Sequence, residues 1–244
     1  MIVLGIDTAT RQTSVALGTQ RGTIAQIALS VGRSHEEVAV PAIRHLLEWS
    51  GTSLSQLGGL AVGIGPGLFT GLRVGVETAK TLAQVTRAMI LGFTSLDALA
   101  YPVRFTSRRI LAVVDARRVI GAVIDARRGE VFVGLYRPVP GGVTRESEFI
   151  VATPDVLLAE LEARGEEVVL VGDGALRYRK ELSTLGPHVE FAAASLAYPQ
   201  AASLVELSIP RLEREEFDRT FEVLPLYLRK SDAEIAWDKR ARAG

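Results

Sequence analysis

The chain has 244 residues, enough for one large or two modest domains, and at 48% hydrophobic it can bury a sizeable core. Its 28 basic and 28 acidic side chains balance, so it lacks the overall positive charge expected of a protein that holds nucleic acid alone. It has no cysteine, which excludes disulfides, thiolate metal sites and cysteine nucleophiles, and its three scattered histidines, His35, His45 and His188, argue against a histidine-rich metal site.

The first residues, Met1-Ile2-Val3-Leu4-Gly5-Ile6-Asp7, carry no basic leader and turn polar at once, so they read as a strand and not as a signal peptide. No apolar run approaches the ~18 residues that span a bilayer. The expectation is a soluble, cytoplasmic protein with no membrane partner. Runs at 2–6, 14–18 and 23–29 predict three antiparallel strands. Asp7 and Thr8 close the first of them. A carboxylate and a hydroxyl there can face a nucleotide or a metal, or form an Asx turn that holds the hairpin.

Ser34-His35-Glu36-Glu37 fits a capping box, and Gly51 fits a C′ glycine, so a helix is predicted from Ser34 to about Ser50. Pro41 lies inside it and predicts a kink. Val38, Ala42, His45 and Trp49 form one stripe; Ala39, Ile43, Leu46 and Leu47 form another. Apolar cover on two sides suggests that one side meets a partner. His35 is open to two readings, a first-turn surface residue or a ligand.

The stretch from Gly63 to Lys80 organises the chain. An apolar strand at 60–64 runs into Gly65-Pro66-Gly67, where glycine and proline together demand a sharp turn. A helix follows, with Thr70 as its expected N-cap. Gly71, Gly75, Ala79 and Ala83 fall four apart and line one ridge. Each interior glycine costs about 0.8–1 kcal/mol against alanine, so close approach of another element must offset it. The turn is either a plain strand-turn-helix, a phosphate-facing turn or a docking surface. It matches neither G-x-x-x-x-G-K-[ST] nor an in-register G-x-G-x-x-G, so a nucleotide signal is weak.

A strand at 88–92 precedes a Thr94-Ser95-Leu96-Asp97 helix start, and Tyr101-Pro102 is expected to end that helix. The basic run 104–109 marks the expected boundary between domains 1–107 and 108–244. Strands are predicted at 110–114, 121–124 and 130–136, with Ala112-Val113-Val114-Asp115-Ala116-Arg117-Arg118 nearly repeated at 122–128. A turn at 138–142 follows. Thr153-Pro154-Asp155 starts a helix that ends near Gly165. A strand at 168–171, a short helix to Leu185 and a helix from about Gln200 to Glu216, interrupted by Pro210, follow, and Leu224-Pro225-Leu226-Tyr227-Leu228-Arg229 closes the ordered part. Residues 230–244 read as a loose charged tail. The alternation of strands and helices in both halves suggests a duplicated α/β core.

At the level of motifs the chain resembles the TsaB (YeaZ) family. The matching residues are Gly5-Ile6-Asp7-Thr8-Ala9-Thr10 with Ser14-Val15-Ala16-Leu17; Ser34-His35-Glu36-Glu37 with Pro41; Gly65-Pro66-Gly67-Leu68-Phe69-Thr70-Gly71-Leu72-Arg73-Val74-Gly75; Asp125-Ala126-Arg127-Arg128-Gly129-Glu130-Val131; Gly172-Asp173-Gly174; and Tyr227-Leu228-Arg229. The third run is highly specific and the rest support it. The resemblance implies an α/β fold of the actin-like, sugar-kinase and heat-shock ATPase-like (ribonuclease H-like) class, duplicated, with a degenerate second half. It implies a part in making threonylcarbamoyladenosine in tRNA, where TsaC makes the activated adenylate, TsaD transfers the group and TsaE is an ATPase acting on the TsaB–TsaD pair.

Departures from the catalytic relative fit a non-catalytic, activating partner of TsaD. Its H-x-x-x-H metal motif has no counterpart at 93–99, and Asp7-Thr8-Ala9-Thr10 lacks the glycine of a D-x-G-x-T phosphate loop, with no second such loop in the chain. Leu68 stands where the family often has serine. The expectations are therefore no catalytic or metal residues, no intrinsic cofactor, and ATP and metal belonging to partner subunits. Asp7, Thr8, Gly65 and Gly67 would form a degenerate nucleotide-facing set. His35, Val38, Ala42, Gly71, Val74, Gly75, Thr78 and Ala79 would form the interface with TsaD, or with a second copy when TsaD is absent. tRNA would be reached indirectly through the complex. A small-molecule kinase or ATPase of the same fold is the alternative, but it needs two phosphate loops and a carboxylate with Mg²⁺, for which Asp7 alone is a candidate. A metallopeptidase would need zinc ligands that the sequence does not supply.

Overall fold

The structure is a computed structural model that describes residues 1–30, 34–104 and 118–229. In the first half, β1 (Ile2–Asp7), β2 (Thr13–Thr19) and β3 (Gly22–Leu29) form the expected antiparallel meander. Then come α1 (His35–Ser50), β4 (Leu57–Gly63), α2 (Phe69–Thr86), β5 (Met89–Phe93) and α3 (Ser95–Val103). β4 and β5 add in parallel beside β1, giving the order β3-β2-β1-β4-β5.

The second half contains β6 (Val119–Arg127), β7 (Glu130–Val139), β8 (Gly142–Arg145), β9 (Ile150–Ala152), α4 (Pro154–Arg164), β10 (Val168–Val171), α5 (Asp173–Arg177), α6 (Arg179–Leu182), β11 (Val189–Phe191) and α7 (Ala201–Glu213). Its sheet runs β11-β10-β6-β7-β8, with β9 also paired to β7. β6, β7 and β8 are antiparallel, and β10 and β11 lie parallel to β6. Strand for strand, this repeats the order and directions of the first sheet. The core is duplicated, and β6 is the counterpart of β1.

The central strands of each sheet are buried on both faces. α1 and α2 cover one face of the first sheet through Ala42, Ile43, Leu46, Val76 and Ala79 packed on Leu4, Ile6, Val15 and Leu60. The other face is covered by α7, whose Ala201, Leu204, Val205, Ile209 and Leu212 recur at helical spacing and pack on Val3, Ala16 and Ala61. The second sheet has α4–α6 on one face and α3 on the other. The terminal helix of each half thus covers the other half's sheet. α7, grouped with the second half by the boundary expected after residue 107, packs on the first.

Several local expectations are corrected. Ser34 occupies the N-cap of α1, but its side chain makes no capping bond; the Glu37 amide donates to the Ser34 carbonyl instead at 3.1 Å. α2 begins at Phe69 with Leu68 at the N-cap, two residues ahead of Thr70, because the Leu68 carbonyl already accepts the Leu72 amide. The box at Thr94 and Asp97 does form. Tyr101-Pro102 does not end α3, which runs to Val103, and Pro210 does not interrupt α7. Burial of Tyr101 and Val103, and of Ile209 and Leu212, outweighs the local cost of proline.

The turn expected at 138–142 is narrower. β7 extends through Val139 and pairs with β8, and its pairing with β6 ends at Tyr136, so Pro138 has a single neighbouring strand to satisfy. β8, β9 and β11 are too short to have shown a period. The strand expected at 110–114 and most of the near-repeat at 112–118 lie outside the described residues, as does the tail. Among the described residues no helix is long and apolar enough to cross a membrane.

Candidate functional site

The site is built around the turn after β1. Asp7 is 1% exposed. Its Oδ1 accepts the Ala9 amide at 3.0 Å, which is the Asx turn, and its Oδ2 accepts the Ser95 hydroxyl at 2.8 Å from the first turn of α3. Burial raises the Asp7 carboxyl to about 6, partly offset by the Ser95 hydroxyl and the Ala9 amide. Thr8 donates its hydroxyl to the Gly71 carbonyl at 2.6 Å.

Glycines make this approach possible. A Cβ on Gly63 would strike the Asp7 carboxylate, one on Gly67 the Ala9 carbonyl, one on Gly71 the Thr8 carbonyl and one on Gly75 the Thr8 hydroxyl. The glycine ridge is a seat for the chain's own Asp7-Thr8-Ala9. The same contacts occupy the Gly65-Pro66-Gly67 turn, whose Gly65–Pro66 peptide is cis. The Leu68 amide donates to the Ala9 carbonyl at 2.7 Å, and the Gly65 carbonyl accepts the Ser95 amide at 2.7 Å. The first of these bonds takes the Leu68 amide at this helix N-terminus away from any phosphate.

The duplicated counterpart is the β6–β7 hairpin. Asp125 repeats the Asp7 turn, with its Oδ1 accepting the Arg127 amide at 3.0 Å. Two guanidiniums share its Oδ2, Arg177 at 3.1 Å and Arg127 at 3.3 Å. Asp173, at the start of α5, accepts the Asp125 amide at 3.0 Å. Burial lifts the Asp173 carboxyl to about 6; the Asp125 amide pulls it down and the Asp125 charge adds to the rise.

The two turns face one another across a crevice lined by Ala9, Arg11, Leu68, Asp125, Arg127 and Asp173, which leaves no room for a water-sized molecule. As arranged, the space between the two turns is too narrow to take a nucleotide's phosphates. Among the described residues no three histidine, aspartate or glutamate side chains are grouped to hold a metal ion.

Of the residues expected at a partner interface, Gly71, Gly75 and Ala79 are buried inside the chain, against Thr8 and the first core. His35 bridges α1 to β2 through Thr13, Nδ1 to Oγ1 at 2.8 Å, and also lies against Gly71. Burial lowers its pKa from the usual histidine value. Val38 and Ala42 line a groove of about 570 Å³ between α1 and β3, together with Ile27, Pro41, His45 and Trp49. Trp49 is 75% exposed, although the sequence placed it on an apolar stripe. Val74 and Thr78 are half-buried on α2.

Asp125, Asp173 and Arg177 drew no role from sequence reasoning. The signal available was the strand end Ile6-Asp7, repeated as Ile124-Asp125. The stack of Phe69, Arg73 and Tyr227 was also missed, because Tyr227 is 154 residues from Arg73.

Comparison with known proteins agrees with this architecture. A family model described as "TsaD: tRNA N6-adenosine threonylcarbamoyltransferase" matches residues 22–237. The tRNA threonylcarbamoyladenosine biosynthesis protein TsaB of Bacillus subtilis is 30% identical over 97% of this chain and 98% of its own length. The solved structure of YeaZ from Pseudomonas aeruginosa superposes with a TM-score of 0.74 at 26% identity, over 93% of this chain and 99% of that one. A ROK hexokinase from Thermus thermophilus shares the fold alone, with a TM-score of 0.50 at 12% identity over 84% of this chain and 98% of that one.

Proposed function

The chain belongs to the TsaB family of tRNA threonylcarbamoyladenosine biosynthesis proteins, and from that membership we propose that it is a non-catalytic subunit that activates a TsaD partner. The observation that carries this reading is the crevice between the two strand-end turns. In an ATPase of this fold the turn after the first strand holds phosphates; here it is seated on four glycines and closed against Arg127 and Leu68. ATP and metal then belong to the partner subunits, with the TsaE ATPase acting on the pair.

The surface offered to TsaD is the outer side of α1, where Val38, Ala42 and the exposed Trp49 line the groove and Val40 is also exposed, together with the half-buried Val74 and Thr78 of α2. Gly71, Gly75 and Ala79 act behind that surface by positioning the β1–β2 turn and His35. Without TsaD the same apolar surface pairs two copies. Reconstituted tRNA modification tests the reading: it should require this chain, and Trp49→Asp should abolish co-purification with TsaD while leaving the melting temperature of the chain unchanged. Full modification in the chain's absence would refute the subunit role. ATP turnover by the purified chain would instead favour the kinase-type alternative.

A further inference from the structure

The segment after α7 runs along the open edge of β5. The Asp218 amide bonds the Ile90 carbonyl, its carboxylate accepts the Gly92 amide at 2.8 Å, and the Leu226 amide bonds the Ile64 carbonyl at 2.7 Å. The backbone before Tyr227 is thereby pinned. The Tyr227 ring stacks on Phe69 at 4.9 Å between centroids. Arg73, one turn further along α2, places its guanidinium 4.1 Å from the Phe69 centroid and donates to the Tyr227 hydroxyl at 3.2 Å. Tyr227 stays 42% exposed, and Arg73 is exposed. An aromatic ring fixed from behind and open in front adds little to the core.

The surroundings are cationic. Leu68, next to Phe69, lines the same crevice as Arg11 and Arg127. Arg127 and Arg177, both well exposed, share the carboxylate of Asp125 beside Asp173, and with the exposed Arg11 and Arg73 four guanidiniums stand against two carboxylates on this face. In a chain with no net charge this is a local concentration. Planar guanidiniums bind phosphate oxygens in pairs, and an open aromatic face accepts any unstacked base. A regular RNA duplex hides its base faces and cannot use such a ring.

We propose that this face, with Tyr227 as a stacking platform and Arg11, Arg73, Arg127 and Arg177 as phosphate contacts, binds single-stranded RNA directly. The proposal rests on the reading that the chain serves tRNA modification, and it replaces the indirect tRNA contact expected from the neutral charge.

The test titrates the full chain, and its complex with TsaD, against a labelled unmodified tRNA transcript and a blunt RNA duplex at several salt concentrations. Tyr227→Ala should weaken tRNA binding about 5- to 100-fold, whereas Tyr227→Phe stays within about twofold of wild type. Arg11→Ala should reduce the slope of log affinity against log salt by about one. Arg21→Ala, on the exposed β2–β3 turn, should change neither. The duplex should bind weakly throughout.

Wild-type affinity in Tyr227→Ala, equal affinity for the duplex, or no tRNA binding by chain and complex would overturn the proposal. So would loss of TsaD co-purification in Tyr227→Ala, since the face would then belong to a protein partner. The exposed Arg11 variant keeps the test decisive if the Tyr227→Ala melting temperature falls. Modification that proceeds without this chain would sink the subunit reading while leaving the RNA contact to stand or fall on the titration.

Discussion

Asp7 carries a pH signature that can be measured. Its carboxyl titrates near 6 in the folded chain and near 4 when unfolded, so it is protonated in the fold while still ionising in the unfolded state between those values. Its contribution is therefore most favourable below about pH 4 and is lost as pH rises through 6, a change of about 2–3 kcal/mol. Asp7→Asn can accept the Ala9 amide and donate to Ser95, and it removes this titration. Denaturant unfolding at pH 4 and pH 8 should show the variant gaining on wild type at the higher pH; an unchanged difference would mean that Asp7 ionises freely in the fold. Gly75→Ala should cost about 1–3 kcal/mol through overpacking against the Thr8 hydroxyl. Thr8→Ala removes that obstacle, so the double variant should lose less than the sum of the singles. Strict additivity would show that Gly75 is held for another reason.

Elements differ in how much of their cause is local. α1 and α4 end at Gly51 and Gly165, both left-handed with open space around the missing Cβ, and both stops were legible from the sequence. Gly51→Ala and Gly165→Ala should each cost about 1 kcal/mol in thermal unfolding, from conformation alone. A negligible change would mean the turns relax. The long strands, the cap at Thr94 and the glycine ridge were legible for the same reason, since a period or a capping pattern lies within a few residues. What the ridge packs on was not legible. Gly71 and Gly75 advertise close approach, but identifying Thr8 as the neighbour needs the β1–β2 turn to be folded back over α2. Pro102 and Pro210 misled because burial decides there, and Tyr227 escaped because its stacking partner is on α2.

At the scale of the whole molecule, the exchange of α3 and α7 ties the halves together. A fragment of residues 1–104 would lack α7 and leave Val3, Ala16, Ala61 and Leu91 bare, each large side chain being worth about 1.5–3 kcal/mol when buried. That fragment should show no cooperative melting by circular dichroism, and adding residues 118–229 should restore it. A cooperative transition in the fragment alone would contradict the exchange. The same exchange sets a schedule for synthesis. The first sheet is complete at Phe93, but its second cover begins at Ala201. The roughly one hundred intervening residues take about 5–20 s to translate, and for that time one apolar face of a finished sheet has no native partner.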